Sequence, residues 1–119
     1  TADKLPKIFY VNWFRKTADG KWLWPGYGEN SRVLKWVFER CNGEGKAVET
    51  PIGYMPVHDA IDINGLADVN EAVMKELLAV DREGWKKEIG LIKEYYAKFG
   101  SRLPGELLDE LAALEKRLA

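Results

Sequence analysis

The chain has 119 residues, a net charge of −1, and hydrophobic and charged fractions of 46% and 31%. That length supports a real core, and those fractions belong to an ordinary globule rather than a disordered or collagenous chain. The near-neutral balance leaves no electrostatic footprint for nucleic acid, and no apolar run is long enough to span a bilayer.

The first residue is Thr1 rather than an initiator methionine, and no signal peptide is evident, so the chain reads as a piece of something longer. Ile8 to Phe14 alternates in a β-like way. Asp19-Gly20 is a turn signal ahead of Lys21 to Trp24, and the two stretches together predict an N-terminal β-hairpin. Pro25-Gly26 ends its second strand. Asn30 and Ser31 are N-cap residues for a helix to about Cys41, stopped by Asn42-Gly43. Its apolar face carries Val33, Val37 and Cys41, with Leu34 and Phe38 beside them. Cys41 therefore reads as a small buried hydrophobe, and a single cysteine excludes both an internal disulfide and a multi-cysteine metal site. Val48 to Met55 is a short extended segment broken by Pro51 and Pro56.

The second half is helical. One helix runs from about Asn70 to Val80, with Val73, Leu77 and Val80 on one side. Asp81 caps the next, whose stripe is Trp85, Ile89, Ile92, Tyr96 and Phe99, ending at Gly100. A last helix follows Pro104, placed in its first turn, with Leu107, Leu111, Leu114 and Leu118 as its stripe. Acids lie early in it and bases late, matching the helix dipole. These stripes are packing faces. The fold class is α+β: an N-terminal hairpin and short extended segments packed with about four helices, in a helical C-terminal half.

Catalytic constellations are scarce. His58 is the only histidine and sits near Asp59 and Asp62, in a segment that reads as a solvated loop. Gly43-Glu44-Gly45-Lys46-Ala47 has Ala47 where a phosphate-binding loop requires Ser or Thr, and Gly26-Tyr27-Gly28 lacks the third glycine of a dinucleotide fingerprint. Both matches are rejected. No catalytic residue and no metal ligand is assigned to this chain.

The informative stretch is Trp22-Leu23-Trp24-Pro25-Gly26-Tyr27-Gly28-Glu29-Asn30. Aromatic faces, glycines that admit a ligand close to backbone, and one amide are the parts needed to hold a planar heterocycle such as a nucleobase. Each base–aromatic stack contributes about 1–3 kcal/mol. The competing reading is that Phe14, Trp22, Trp24 and Tyr27 simply plug the hairpin onto the helices. Tyr27 between two glycines argues against the plug.

Three stretches, Asn12-Trp13-Phe14, Trp22 through Leu34, and Glu49-Thr50-Pro51-Ile52-Gly53-Tyr54, closely resemble the C-terminal region of the GTP-dependent phosphoenolpyruvate carboxykinases. The likeness extends to the closing Leu103-Pro104 and the Leu108-Asp109-Glu110-Leu111 helix. It implies a single segment, residues 1–119, of a larger cytoplasmic, gluconeogenic enzyme. That enzyme converts oxaloacetate and GTP to phosphoenolpyruvate, GDP and CO₂ with Mn²⁺ and Mg²⁺. The family's phosphate loop, metal ligands and oxaloacetate-binding arginines are expected upstream, so the isolated chain is expected to be inactive.

Carried over by position, the resemblance makes Phe14, Trp22 and Tyr27 the rings around guanine and Asn30 the reader of its edge, with Tyr27-Gly28-Glu29-Asn30 as the binding loop. Trp22 and Tyr27 stand where phenylalanine is usual in the family. Trp24 is assigned no more than buttressing, and Glu29 belongs to the loop with its role, at the base or at the helix start, open. Free backbone N–H groups are also expected near Asn30, facing the base O6. Expected partners are a guanine nucleotide (GTP or GDP as substrate) and the remainder of the carboxykinase chain, with self-association of the piece through its exposed edge; neither nucleic acid nor membrane is expected. The alternative is a non-catalytic module whose aromatic patch docks a protein.

Overall fold

A computed structural model describes residues 4–119. The architecture is α+β, with four α-helices: α1 (Asn30–Cys41), α2 (Glu71–Leu77), α3 (Arg82–Ala97) and α4 (Gly105–Leu118). Two strands, β1 (Ala47–Thr50) and β2 (Gly53–Pro56), pair as a hairpin, and 3-10 turns cover Tyr27–Glu29 and Gly100–Arg102. Two compact units divide the chain: residues 4–48 with 54–79, and residues 49–53 with 80–119.

The first unit is built on two tryptophans. Trp24 and Trp36 are buried with Ile61, Val69 and Met74, and Phe9, Trp13, Val33 and Val37 pack against them. Phe9 meets Trp36 edge to face at 6.0 Å. Burying an indole removes its N–H from water, so each needs an acceptor. Trp36 Nε1 donates to Lys46 O at 2.9 Å, and Trp24 Nε1 donates to Asn30 Oδ1 at 2.9 Å.

The apolar face of α1 is rotated from the expected one. Trp36 occupies its centre, while Leu34 and Phe38 are exposed and Cys41 is a free, exposed thiol. An indole at position 36 supplies more apolar area than either neighbour, and burying it turns the positions at the far end of the stripe outward. In α2 the buried residue is likewise Met74, with Val73 and Leu77 only half-buried. Asn70 caps this helix, its Oδ1 accepting from Val73 N at 3.1 Å, and the helix ends at Leu77, three residues early.

The expected N-terminal hairpin shrinks to one antiparallel bridge, Lys16 to Trp22, closed by Thr17 N donating to Lys21 O at 2.9 Å and Leu23 N to Arg15 O at 3.0 Å. Ile8 to Phe14 forms no strand. The Asn12 side chain accepts from Phe14 N at 2.9 Å, competing with any ladder there, and Ile8 is 93% exposed. The hairpin that does form is the one across Pro51. Proline interrupts a strand but suits a turn, where its fixed φ is an advantage, and Thr50 Oγ1 donates to Gly53 O across it at 2.6 Å.

The second unit is a pair of helices. Ile89, Leu111 and Leu118 form its core, with Trp85, Ile92, Tyr96 and Leu114 around them. Asp81 caps α3 as its sequence implied, Oδ1 accepting from Gly84 N at 2.9 Å. A side chain at Gly84 would collide with that carboxylate. Pro104 stands just before α4 rather than inside its first turn. Lys93 of α3 pairs with Glu115 of α4 at 2.9 Å, and Arg117 Nε donates to Pro51 O at 2.9 Å.

Candidate functional site, an aromatic platform at the start of α1

The bridge between Lys16 and Trp22 sets the site. Residues directly opposite across such a bridge touch, and here the Lys16 ammonium lies 4.1 Å from the centroid of the Trp22 ring. Phe14 approaches the same indole at 6.1 Å with an interplanar angle of 64°. Leu23 and Trp24, next along, turn inward and are buried. The chain then bends at Gly26, whose φ of 101° lies in the left-handed region that favours glycine, and enters the 3-10 turn Tyr27–Glu29 that runs into α1.

Exposure bears on the packing reading of the aromatic cluster. Phe14 is 73% exposed, Trp22 56% and Tyr27 96%, so these rings do not plug a core. Trp24 alone among the four does. Phe14 and Trp22 are brought together; Tyr27 presents its ring separately from the turn before α1.

Glu29 is engaged by an arginine of α1. Its Oε2 accepts from Arg32 Nε at 2.6 Å, and Arg32 Nη1 reaches Asp62 O at 2.8 Å, so the carboxylate ties the helix start to the loop after Ile61. Glu29 is also the residue preceding α1, without a side-chain cap, while Asn30 is the first helical residue. The backbone N–H of Asn30 is not free: it donates to Tyr27 O within the 3-10 turn. The side chain of Asn30 is half-buried, with Oδ1 held by Trp24.

Three contacts were not legible as site features: Lys16 over Trp22, Trp24 on Asn30, and Arg15, whose Nη1 donates to Leu77 O at 2.8 Å. The first had a signal, since Lys16 and Trp22 flank the Asp19-Gly20 turn as cross-strand neighbours. A hollow of about 290 Å³ lined by Glu39, Glu44, Gly45, Lys46, Asp59 and Ala60 lies elsewhere, and its polar wall has no stacking face. Among the described residues no three His, Cys, Asp or Glu side chains gather to hold a metal ion, and His58 is exposed. Among the described residues, the group with a shifted pKa is the carboxyl of Asp19, in the turn between Lys16 and Trp22. The Thr17 hydroxyl, donating to its carboxylate at 2.5 Å, holds its carboxyl below the usual range.

The phosphoenolpyruvate carboxykinase C-terminal P-loop domain matches residues 1–117. The chain belongs to the GTP-dependent phosphoenolpyruvate carboxykinase family. Relatives carrying the name phosphoenolpyruvate carboxykinase [GTP] include those of Neocallimastix frontalis, 60% identical over 116 residues and 97% of this chain, and of Treponema pallidum (strain Nichols), 58% identical over 118 residues and 98% of it. A Gallus gallus relative, named as the cytosolic form, is 50% identical over 118 residues and 98% of the chain, which covers 18% of that relative. The chain spans 19% of the length of the Neocallimastix and Treponema proteins. Among the described residues of this carboxykinase segment, no helix is long and apolar enough to cross a membrane.

Proposed function

We propose that this segment is the C-terminal part of a GTP-dependent phosphoenolpyruvate carboxykinase and supplies its guanine-binding wall. The observation that carries the proposal is the exposure of Phe14, Trp22 and Tyr27, in the segment leading into α1 whose first residue is Asn30. Large rings left in water cost free energy unless something covers them, and flat faces beside an amide suit a purine. Phe14, Trp22 and Tyr27 stack on the base, Gly28 gives the backbone room, Glu29 holds the loop through Arg32, and Asn30 reads the base edge.

The parent enzyme, on this reading, converts oxaloacetate and GTP to phosphoenolpyruvate, GDP and CO₂ in the cytosol, in the direction of glucose synthesis. The Mn²⁺ and Mg²⁺ of that reaction find no ligand set among the described residues, and the sequence holds no complete phosphate-binding loop. The part we assign to this chain is with the base. Its remaining partner is the rest of the enzyme, or a second copy of the piece where that rest is missing. The expected consequence is that the pure piece forms no phosphoenolpyruvate from oxaloacetate and GTP.

The test is substitution in the full-length enzyme. Trp22→Ala or Tyr27→Ala weakens GTP and ATP alike, by about 1–3 kcal/mol, because stacking does not distinguish purines. Unchanged affinity for both nucleotides in both variants would assign the rings to packing against another part of the protein.

A further inference from the structure

Trp24 is buried, 6% exposed, and its Nε1 donates to Asn30 Oδ1 at 2.9 Å. An indole N–H is a donor only. The amide of Asn30 therefore has one workable orientation. Turning it over would set its NH₂ against another donor and strand a buried N–H, which disfavours the flipped amide by roughly tenfold or more. Among the described residues the Nδ2 hydrogens meet no acceptor, and since no buried side-chain nitrogen there lacks a partner, they reach solvent. The backbone N–H of Asn30 is already spent on Tyr27 O, so the side chain is the part of this residue that can choose.

We propose that Trp24 is a positioning residue for nucleotide choice: by fixing Asn30 Oδ1 it makes Asn30 a dedicated hydrogen-bond donor, selecting purines that carry a ring carbonyl. The proposal rests on the assignment of Asn30 to the base above. A 6-oxopurine presents O6 as an acceptor to Nδ2, whereas a 6-aminopurine presents a second donor and leaves both unpaired. An unfixed asparagine would rotate and accept from the amino group instead, and discrimination would fall. Trp24 touches no ligand in this scheme. It acts through the amide.

The experiment uses the full-length enzyme and reads the ratio of the Kd values for ADP and GDP, together with kcat and KM for GTP. Trp24→Phe keeps an aromatic core residue and removes the N–H. The ratio is expected to fall by about three- to tenfold, through weaker GDP and stronger ADP binding, with KM for GTP rising and kcat little changed. Asn30→Ala lowers the ratio by itself, and Trp24→Phe adds nothing further in that background. Where Trp24→Phe loses thermal stability, 3-benzothienylalanine at position 24, which keeps the bicyclic shape and lacks only the N–H, must show the same loss. An Asn30→Ala enzyme that keeps its full preference removes Asn30 as reader and takes the proposal with it. A lowered ratio in Asn30→Ala, with the isostere at position 24 behaving as wild type, leaves the base site standing and overturns the role of Trp24.

Discussion

Arg15 closes the C-terminal end of α2 through Leu77. Its Nη1 donates to Leu77 O at 2.8 Å and to Glu76 O at 2.9 Å, satisfying carbonyls that a helix end leaves without intrahelical partners. The guanidinium thus fastens the segment that carries Phe14 and Lys16 onto a helix of the first unit's core. A helix of seven residues has little stability of its own, so the clamp works in both directions.

Arg15→Met keeps the aliphatic stem and removes both hydrogen bonds. The expected cost is about 1–2 kcal/mol, with faster amide exchange at the end of α2. Guanine-nucleotide binding weakens as well, because Phe14 loses its anchor. Hydrogen exchange in α2 identical to wild type would show that the ring segment is held some other way.

Much of the fold was legible. The polar cap of α3 by Asp81, the Leu111–Leu114–Leu118 stripe and the helix breaks follow from local rules that need no partner: a side-chain oxygen three residues before a free N–H, and a 3.6-residue period. The N-terminal strand was not, because alternation from Ile8 to Phe14 says that a strand fits, not that a neighbour exists to pair with. Pro51 misled in the opposite way, being in the turn rather than in a strand. In the site, residue types suggested stacking rings and an amide, and of the rings Phe14, Trp22 and Tyr27 are exposed. Hydrogen-bond polarity was hidden, since whether Asn30 is a donor or an acceptor depends on the indole of Trp24, six residues back and inside the core.

The turn between Lys16 and Trp22 predicts a pH effect. The Asp19 carboxylate accepts from Thr17 Oγ1, so its folded pKa lies below the ordinary value. A depressed carboxyl stabilises the folded turn above the unfolded pKa, and that contribution is lost as pH falls through the folded pKa, in the acid range below about 4. Trp22 emission should therefore change on acidification through that range in the native protein. Asp19→Asn should flatten the change, and a Thr17→Val variant should move its midpoint upward. An acid transition that keeps its midpoint in Thr17→Val would separate Asp19 from the hydroxyl.

In the second unit, burial outweighs charge. Leu118 is fully buried against Ile89 and Leu111, although it is the penultimate residue, while the Lys93–Glu115 pair is more than half exposed at both ends. Leu118→Ala is expected to cost about 2–4 kcal/mol, and Glu115→Gln less than about 1 kcal/mol, the latter vanishing in high salt. Denaturant midpoints with amide exchange in α3 and α4 give the comparison. A larger loss from Glu115→Gln than from Leu118→Ala would reverse the ranking and make the ion pair the main tie between these helices.

Lys16 gives the sharpest separation of stacking from reading. Its ammonium sits 4.1 Å above the Trp22 ring, at a solvent-exposed site where such a contact contributes about 0.5–1 kcal/mol. That contact holds the indole in place, and Phe14 meets it at 6.1 Å. Lys16→Met removes the charge and leaves a flexible apolar chain. The ring is then less ordered, so affinity for GDP and ADP should fall together by about 0.5–1 kcal/mol, with their ratio unchanged. Raised salt should weaken the wild type toward the variant and leave the variant almost unmoved. A shift in the GDP to ADP ratio in Lys16→Met would transfer part of the edge reading from Asn30 to the lysine, and equal affinities in both proteins would make the contact idle.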